Sequence, residues 1–262
     1  MKLLYLLKKD LVESRKAMSI YGAALFFVML WANILPMILG NPTYSDLRGF
    51  YLQFFTSFLF LGGFIIASMT FTEEMYGKST QHNWLMLPAS PQEKLSVKVI
   101  TTSVIYPIAL LIFISVAALL IEGFNTLVFN RHYMLLNPLN PAVWRSVLNY
   151  IVLQAIFLMG STYFRKAAFI KTVLVLGLLG FIIGMIAFLT GWVVFDTYFT
   201  GMTIGEDLII NNHVIPVSSP ADIPLLRTYE VIGKVLYWVF LAPFCWIVSY
   251  LRIREVQAYD AV

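Results

Sequence analysis

Apolar residues gather into six long stretches, Ala17–Leu39, Phe50–Phe71, Val99–Ile121, Val147–Phe164, Thr172–Phe195 and Val231–Leu251, and the segments between them hold most of the charge. A hydrocarbon core about 30 Å thick is crossed by about 20 apolar residues of helix. The pattern therefore predicts an all-α integral membrane protein with six transmembrane helices in a single domain over residues 1–262. Ahead of the first stretch the period changes. At 100° per residue Leu3, Leu4, Leu7, Leu11 and Met18 share one face, and Lys2, Lys9, Glu13 and Lys16 share the other. Residues 1–16 are expected to form an amphipathic helix lying in the membrane interface. The run Leu3–Leu7, followed at once by Lys8, Lys9 and Asp10, is too short for the apolar region of a signal peptide.

Composition agrees with this pattern: 60% of residues are hydrophobic and 12% charged, about half the charge of an average soluble domain. The placement of charge adds orientation. Of the 18 Lys and Arg residues, 13 flank the N-terminal segment, the second-to-third and fourth-to-fifth connections and the C-terminal tail. Basic residues beside spans stay on the cytoplasmic side, which predicts that both termini are inside. A pI near 9.1 then reports topology, and needs no nucleic acid partner to explain it.

Candidate chemistry is sparse. Gly77-Lys78-Ser79-Thr80 ends like a phosphate-binding loop, but Thr72 stands where the first glycine of that motif belongs, and a long apolar run precedes it where a short strand should. The match is a coincidence of composition. His82, His132 and His213 are scattered among the connections, and no ionisable residue falls in the middle of an expected span. No catalytic, metal or cofactor site is expected on the chain. Neutral polar residues do occur inside spans, notably Asn33, Gln53, Asn149 and Gln154, either as interhelical hydrogen bonds or, for Asn33 and Gln53, as the lining of a pathway. Pro36, Pro107 and Pro243 interrupt three spans, and Gly180 and Gly184 form a GxxxG in the fifth, where another helix can pack closely. Cys245 lies in the sixth and is the sole cysteine, so no intrachain disulfide can form.

The second-to-third connection, residues 72–98, is richer in signals. Ser90-Pro91-Gln92-Glu93 is a helix start, with Ser90 as N-cap, Pro91 in the first turn and Glu93 closing a capping box. Trp84-Leu85-Met86-Leu87 is an apolar run that either lies in the lipid interface or fills a pocket on a partner. Phe71-Thr72-Glu73-Glu74, a polar stretch, then Leu87-Pro88-Ala89-Ser90 with Glu93-Lys94 resembles the first cytoplasmic loop of ABC-2 type permeases, the membrane subunits of bacterial ABC exporters. The six spans, inward termini and N-terminal amphipathic helix are similar to that family along nearly the whole chain.

That resemblance implies a coupling helix around Glu73 to Trp84 that docks on a separate ATPase subunit. Tyr76 and Trp84 would be its apolar anchors, and Glu73, Glu74 and Lys78 its orienting charges. It further implies two ATPase copies carrying the ATP and magnesium, a second permease subunit, identical or not, and a place in the bacterial inner membrane. The external connections, residues 122–146 and 196–230, are long for loops between spans. In the second, apolar residues flank Asn211-Asn212, which predicts a short external hairpin. A membrane-embedded enzyme would need a cluster of catalytic groups, and an assembly protein would lack an ATPase. The inward-termini topology predicts that Asn212→Cys reacts with a membrane-impermeant thiol reagent in intact cells and Ser79→Cys does not; reversed labelling overturns it.

Overall fold

In the computed structural model, α1 (Lys2–Ile38) is a single unbroken helix, about 55 Å long at 1.5 Å per residue. The amphipathic segment and the first apolar stretch, expected as two elements, are therefore one rod. No glycine or proline separates them, and Lys16, Ala17 and Met18 at the junction are strong helix formers. The structure describes residues 2–38, 47–77, 80–86, 89–129, 135–195, 199–202, 207–210, 213–216 and 231–259.

Helix α2 (Leu47–Tyr76) follows, then the short α3 (Gln81–Met86) and α4 (Pro91–Ile100). The start of α4 is the expected capping box: the Glu93 amide donates to Ser90 Oγ, and the Ser90 amide donates to Glu93 Oε2 at 2.8 Å. A π-helical turn (Thr101–Ile105) carries α4 into α5 (Tyr106–Phe129). Helix α6 (Pro141–Tyr163) repeats the same start chemistry, with Asn140 Oδ1 accepting from the Ala142 amide at 3.0 Å and Pro141 in the first turn. A short turn leads to α7 (Ala168–Phe195). Residues 231–235 are helical and pass through a second π turn (Leu236–Phe240) into α8 (Leu241–Tyr259).

Both π turns have the same cause. Pro107 and Pro243 follow them closely, and a proline lacks an N–H and presses on the carbonyl four residues back. Those carbonyls belong to Ser103 and Val239, inside the two π turns. Widening the turn to i→i+5 bonding relieves the contact, as the bonds from the Tyr106 amide to the Thr101 carbonyl and from the Leu241 amide to the Leu236 carbonyl show.

Among the described residues six helices are long and apolar enough to cross a membrane. They divide into two groups, since 39% of an 18-residue apolar stretch in each of the second, third and fourth is buried but only 17%, 6% and 11% of such a stretch in the first, fifth and sixth. The core thus lies among α2, α5 and α6, around Tyr51, Phe55, Leu59, Ile114 and Tyr150. Phe64 of α2 stacks on Phe157 of α6 with centroids 4.2 Å apart. Helix α7 is apolar on every side and mostly uncovered, as a helix in lipid contact is.

Between α7 and the last span lies a three-stranded antiparallel sheet in the order β1 (Phe199–Met202), β2 (Asp207–Ile210), β3 (His213–Pro216). The pairing of Ile210 with His213 makes β2 and β3 the expected hairpin about positions 211 and 212, two residues outside the described ones. Strand β1, with a bulge between Phe199 and Gly201, was not foreseen.

The turn from α6 to α7 holds Ala167 at φ 53°, in the left-handed region. There an L side chain costs roughly 1–2 kcal/mol, and glycine none of it. Ala167→Gly is expected to raise the unfolding free energy by about 1 kcal/mol in detergent denaturation; a decrease would show that Ala167 makes compensating contacts.

Candidate functional site

The connection between α2 and α4 is a built structure. At the end of α2 the Gly77 amide donates to the Glu73 carbonyl at 3.1 Å, and the Thr80 hydroxyl donates to the same carbonyl. The Gly77 carbonyl then accepts from the Gln81 amide at 3.0 Å, which launches α3. A Cβ on Gly77 would collide with Thr80 Oγ1 and the Glu73 carbonyl. The glycine of the Gly-Lys-Ser-Thr stretch therefore serves a tight turn. Lys78 lies outside the described residues.

From α3, Trp84 drops into a pocket formed by Phe71, Met75, Leu95, Leu158 and Ile253 and is left 3% exposed. It is held from above as well: the Lys94 ammonium lies 4.2 Å from the centre of the Trp84 ring and donates to the Trp84 carbonyl at 2.7 Å. That gives the buried Lys94 charge both an acceptor and an aromatic face. One turn further along α4, Lys98 Nζ bridges Asp10 Oδ2 of α1 at 2.6 Å and Glu74 Oε1 of α2 at 2.7 Å. All three side chains are largely shielded from solvent. Tyr76 donates to the Thr162 carbonyl at the end of α6 at 2.7 Å, and the Thr72 hydroxyl lies within reach of the Ser161 and Phe164 carbonyls. These are carbonyls that a helix terminus leaves without intrahelical partners. The ends of α1, α2, α4, α6 and α8 are thus tied to the seat of α3.

The residues expected to couple to a partner separate accordingly. Trp84 and Tyr76, expected as outward apolar anchors, are turned into the chain, because the alternating ends of the helices leave a pocket that their rings fill. Glu74 is bound to Lys98. Glu73 is exposed, as are His82 and, at 81%, Met86. Among the described side chains of α3 the outward apolar one is therefore Met86, from the same Trp-Leu-Met-Leu run.

The pathway candidates also part. Gln53 is exposed on α2. Asn33 is buried and engaged on both sides, donating to Tyr51 Oη at 3.3 Å and accepting from Asn125 Nδ2 at 2.8 Å. Tyr51 in turn donates to Glu122 at 2.6 Å. Glu122, expected in an external connection, lies inside α5, within the third span and 4% exposed. Its position one turn before Asn125 on a continuing apolar helix is the signal that could have found it. A second buried network joins the first π turn to α6: Gln154 Nε2 donates to Thr102 Oγ1 at 2.5 Å, Ser103 Oγ donates to Gln154 Oε1 at 2.9 Å, and Tyr150 donates to the Thr102 carbonyl at 3.0 Å. Asn149 accepts from Tyr237 of the second π turn at 3.2 Å. Gly180 and Gly184 have open space where a Cβ would stand, so no described residue packs closely on that GxxxG.

Among the described residues no group of three or more His, Cys, Asp or Glu side chains could hold a metal. The arrangement is a short helix clamped across several helix ends. No protein-family model, curated protein or solved structure matches the chain.

Three substitutions separate clamp from surface. Trp84→Ala should cost about 3–5 kcal/mol of stability, the range for emptying a large core position, and Lys98→Ala a similar 3–5 kcal/mol by removing the cation that two shielded carboxylates share. Glu73→Ala should change it by under about 0.5 kcal/mol. Denaturation of the three variants in one detergent checks this; a Trp84→Ala protein as stable as its parent would remove the clamp.

Proposed function

We propose that the chain is the membrane-spanning permease subunit of an ABC-2 type transporter, an exporter of the bacterial inner membrane, working as a dimer with two cytoplasmic ATPase subunits. Supporting this reading are the six apolar helices, the loop residues that resemble the family, and above all the clamp. Helix α3 is held by Trp84 and Lys94 against the ends of the second, third, fourth and sixth spans, and it carries exposed Met86 and His82 on the side away from its seat. A docking helix must have both properties, since an element that yields under load transmits nothing.

In this reading Met86 enters a pocket on the ATPase, with Glu73 at the rim. Glu74, Tyr76 and Trp84 act behind them, passing displacement of α3 into α1, α2 and α6 through the contacts described above. ATP and magnesium bind on the partner. The termini face the cytoplasm, and the sheet β1–β3 stands on the other side. The uncovered GxxxG of α7 and the exposed Gln53 are surfaces for the second permease subunit and for the pathway between the two.

The test is purification from native membranes in mild detergent. An ATP-hydrolysing subunit should copurify, and Met86→Asp should reduce the copurified ATPase about thirtyfold, the loss that goes with about 2 kcal/mol at an interface anchor, while the melting temperature of the permease stays unchanged. Absence of any ATPase from the wild-type preparation overturns the proposal.

A further inference from the structure

The turn from α6 into α7 gathers three cations, Arg165, Lys166 and Lys171, and all three side chains are exposed. Among the described residues no carboxylate pairs with any of them. The carboxylates at this end of the molecule are engaged elsewhere: Glu74 holds Lys98, Glu255 holds Arg252, and Glu93 closes the capping box of α4. Glu73 lines a groove of about 700 Å³ on the side of α2 that faces α1 and the third span. Two of the three cations are set on aromatic faces. The Arg165 guanidinium lies 5.6 Å from the centre of the Tyr76 ring, which is itself fixed by its bond to the Thr162 carbonyl, and the Lys171 ammonium lies 5.7 Å from the centre of the Phe164 ring. A positive patch therefore stands where the fifth span begins.

The surface that continues from this patch is apolar and uncovered. At 100° per residue Leu174, Val175, Leu178, Ile182 and Met185 lie on the Lys171 side of α7, and each is 44–66% exposed. From Lys171 to Met185 the stripe runs about 20 Å at 1.5 Å per residue, longer than half of a hydrocarbon core about 30 Å thick. An acyl chain of one leaflet fits along it. Thr172, buried against Gly160, marks the side of α7 turned to α6, and Gly180 and Gly184 fall on the side opposite Lys171. The stripe is thus separate from both the α6 contact and the GxxxG.

We propose that the α6–α7 turn binds an anionic phospholipid of the surrounding bilayer, its phosphodiester held by Arg165, Lys166 and Lys171 and one acyl chain lying along Leu174, Leu178 and Ile182. Charge selects the head and the stripe selects the chain. A free phosphodiester would leave the stripe uncovered, and a zwitterionic head would bring a cation of its own against the patch. The site goes beyond the permease reading, since binding needs neither an ATPase nor a second subunit.

The test uses the purified full-length chain in maltoside micelles, with tritiated dioleoylphosphatidylglycerol as probe. Saturable binding is expected. Dioleoylphosphatidylcholine, which has the same chains and no net charge, should displace the probe about tenfold more weakly than unlabelled phosphatidylglycerol does, and glycerophosphoglycerol, the headgroup without chains, should not displace it. Arg165→Gln, Lys166→Gln and Lys171→Gln should each weaken binding about fivefold, the factor that goes with about 1 kcal/mol per basic residue near an anionic head. Arg254→Gln removes the same charge from a position turned about 200° from Arg252 on α8, whose guanidinium faces Tyr163, and should leave binding unchanged. Retained elution profile and melting temperature show that the variants are folded. Equal displacement by phosphatidylcholine, displacement by glycerophosphoglycerol, a loss in Arg254→Gln equal to that in Lys171→Gln, unchanged binding in the three turn variants, or no saturable binding would each overturn the proposal. Because ATPase copurification is measured separately, a failure here leaves the permease reading standing, and the converse also holds.

Discussion

Inside a hydrocarbon layer there is no water to complete a hydrogen bond, and an unsatisfied polar group there costs several kcal/mol. Most of the architecture follows from that constraint. Backbone groups are satisfied within helices, and the side-chain hydroxyls of Ser68, Thr70, Ser115, Thr126 and Ser249 each return to the carbonyl four residues earlier. Larger polar groups cannot close on their own helix, and so they draw helices together. Asn125, Asn33, Tyr51 and Glu122 link α5, α1 and α2. Gln154 with Thr102 and Ser103 links α6 to the third span. These contacts fix which helices adjoin, a choice that apolar packing alone leaves open when the surroundings are as apolar as the core.

The same constraint bears on two of the prolines. Pro107 and Pro243 each remove a donor from a helix that has no water to replace it, and each is accompanied by a π turn, whereas Pro36, near the end of α1, is not. Both π turns face α6, through Thr102 with Gln154 and through Tyr237 with Asn149. Helix α6 also packs most extensively on α2 and α8. It is the post around which two locally widened helices are held, and widened turns are where a span can bend or rotate without losing its bonds.

At one end of this post sits the clamp of Trp84, Lys94 and the Asp10–Lys98–Glu74 bridge. The bridge also closes the polar end of the groove between α1 and α2. One ammonium therefore belongs both to the seat of α3 and to the lining of that groove.

The sequence by itself determined what depends on local composition and period. The six spans follow from runs of apolar residues, the start of α4 from Ser90, Pro91 and Glu93, and the pairing of β2 with β3 from apolar residues about Asn211-Asn212. Each rests on interactions among residues near in the chain. What only the tertiary structure decided rests on contacts between residues far apart. Trp84 reads as an exposed anchor until Phe71, Leu158 and Ile253 are seen to surround it. Glu122 reads as a loop residue until α5 continues past it and Tyr51 meets it from α2. The groove has no sequence signature at all, because its charged end is assembled from Asp10, Glu74 and Lys98 on three helices, and its shape is the space left between those helices.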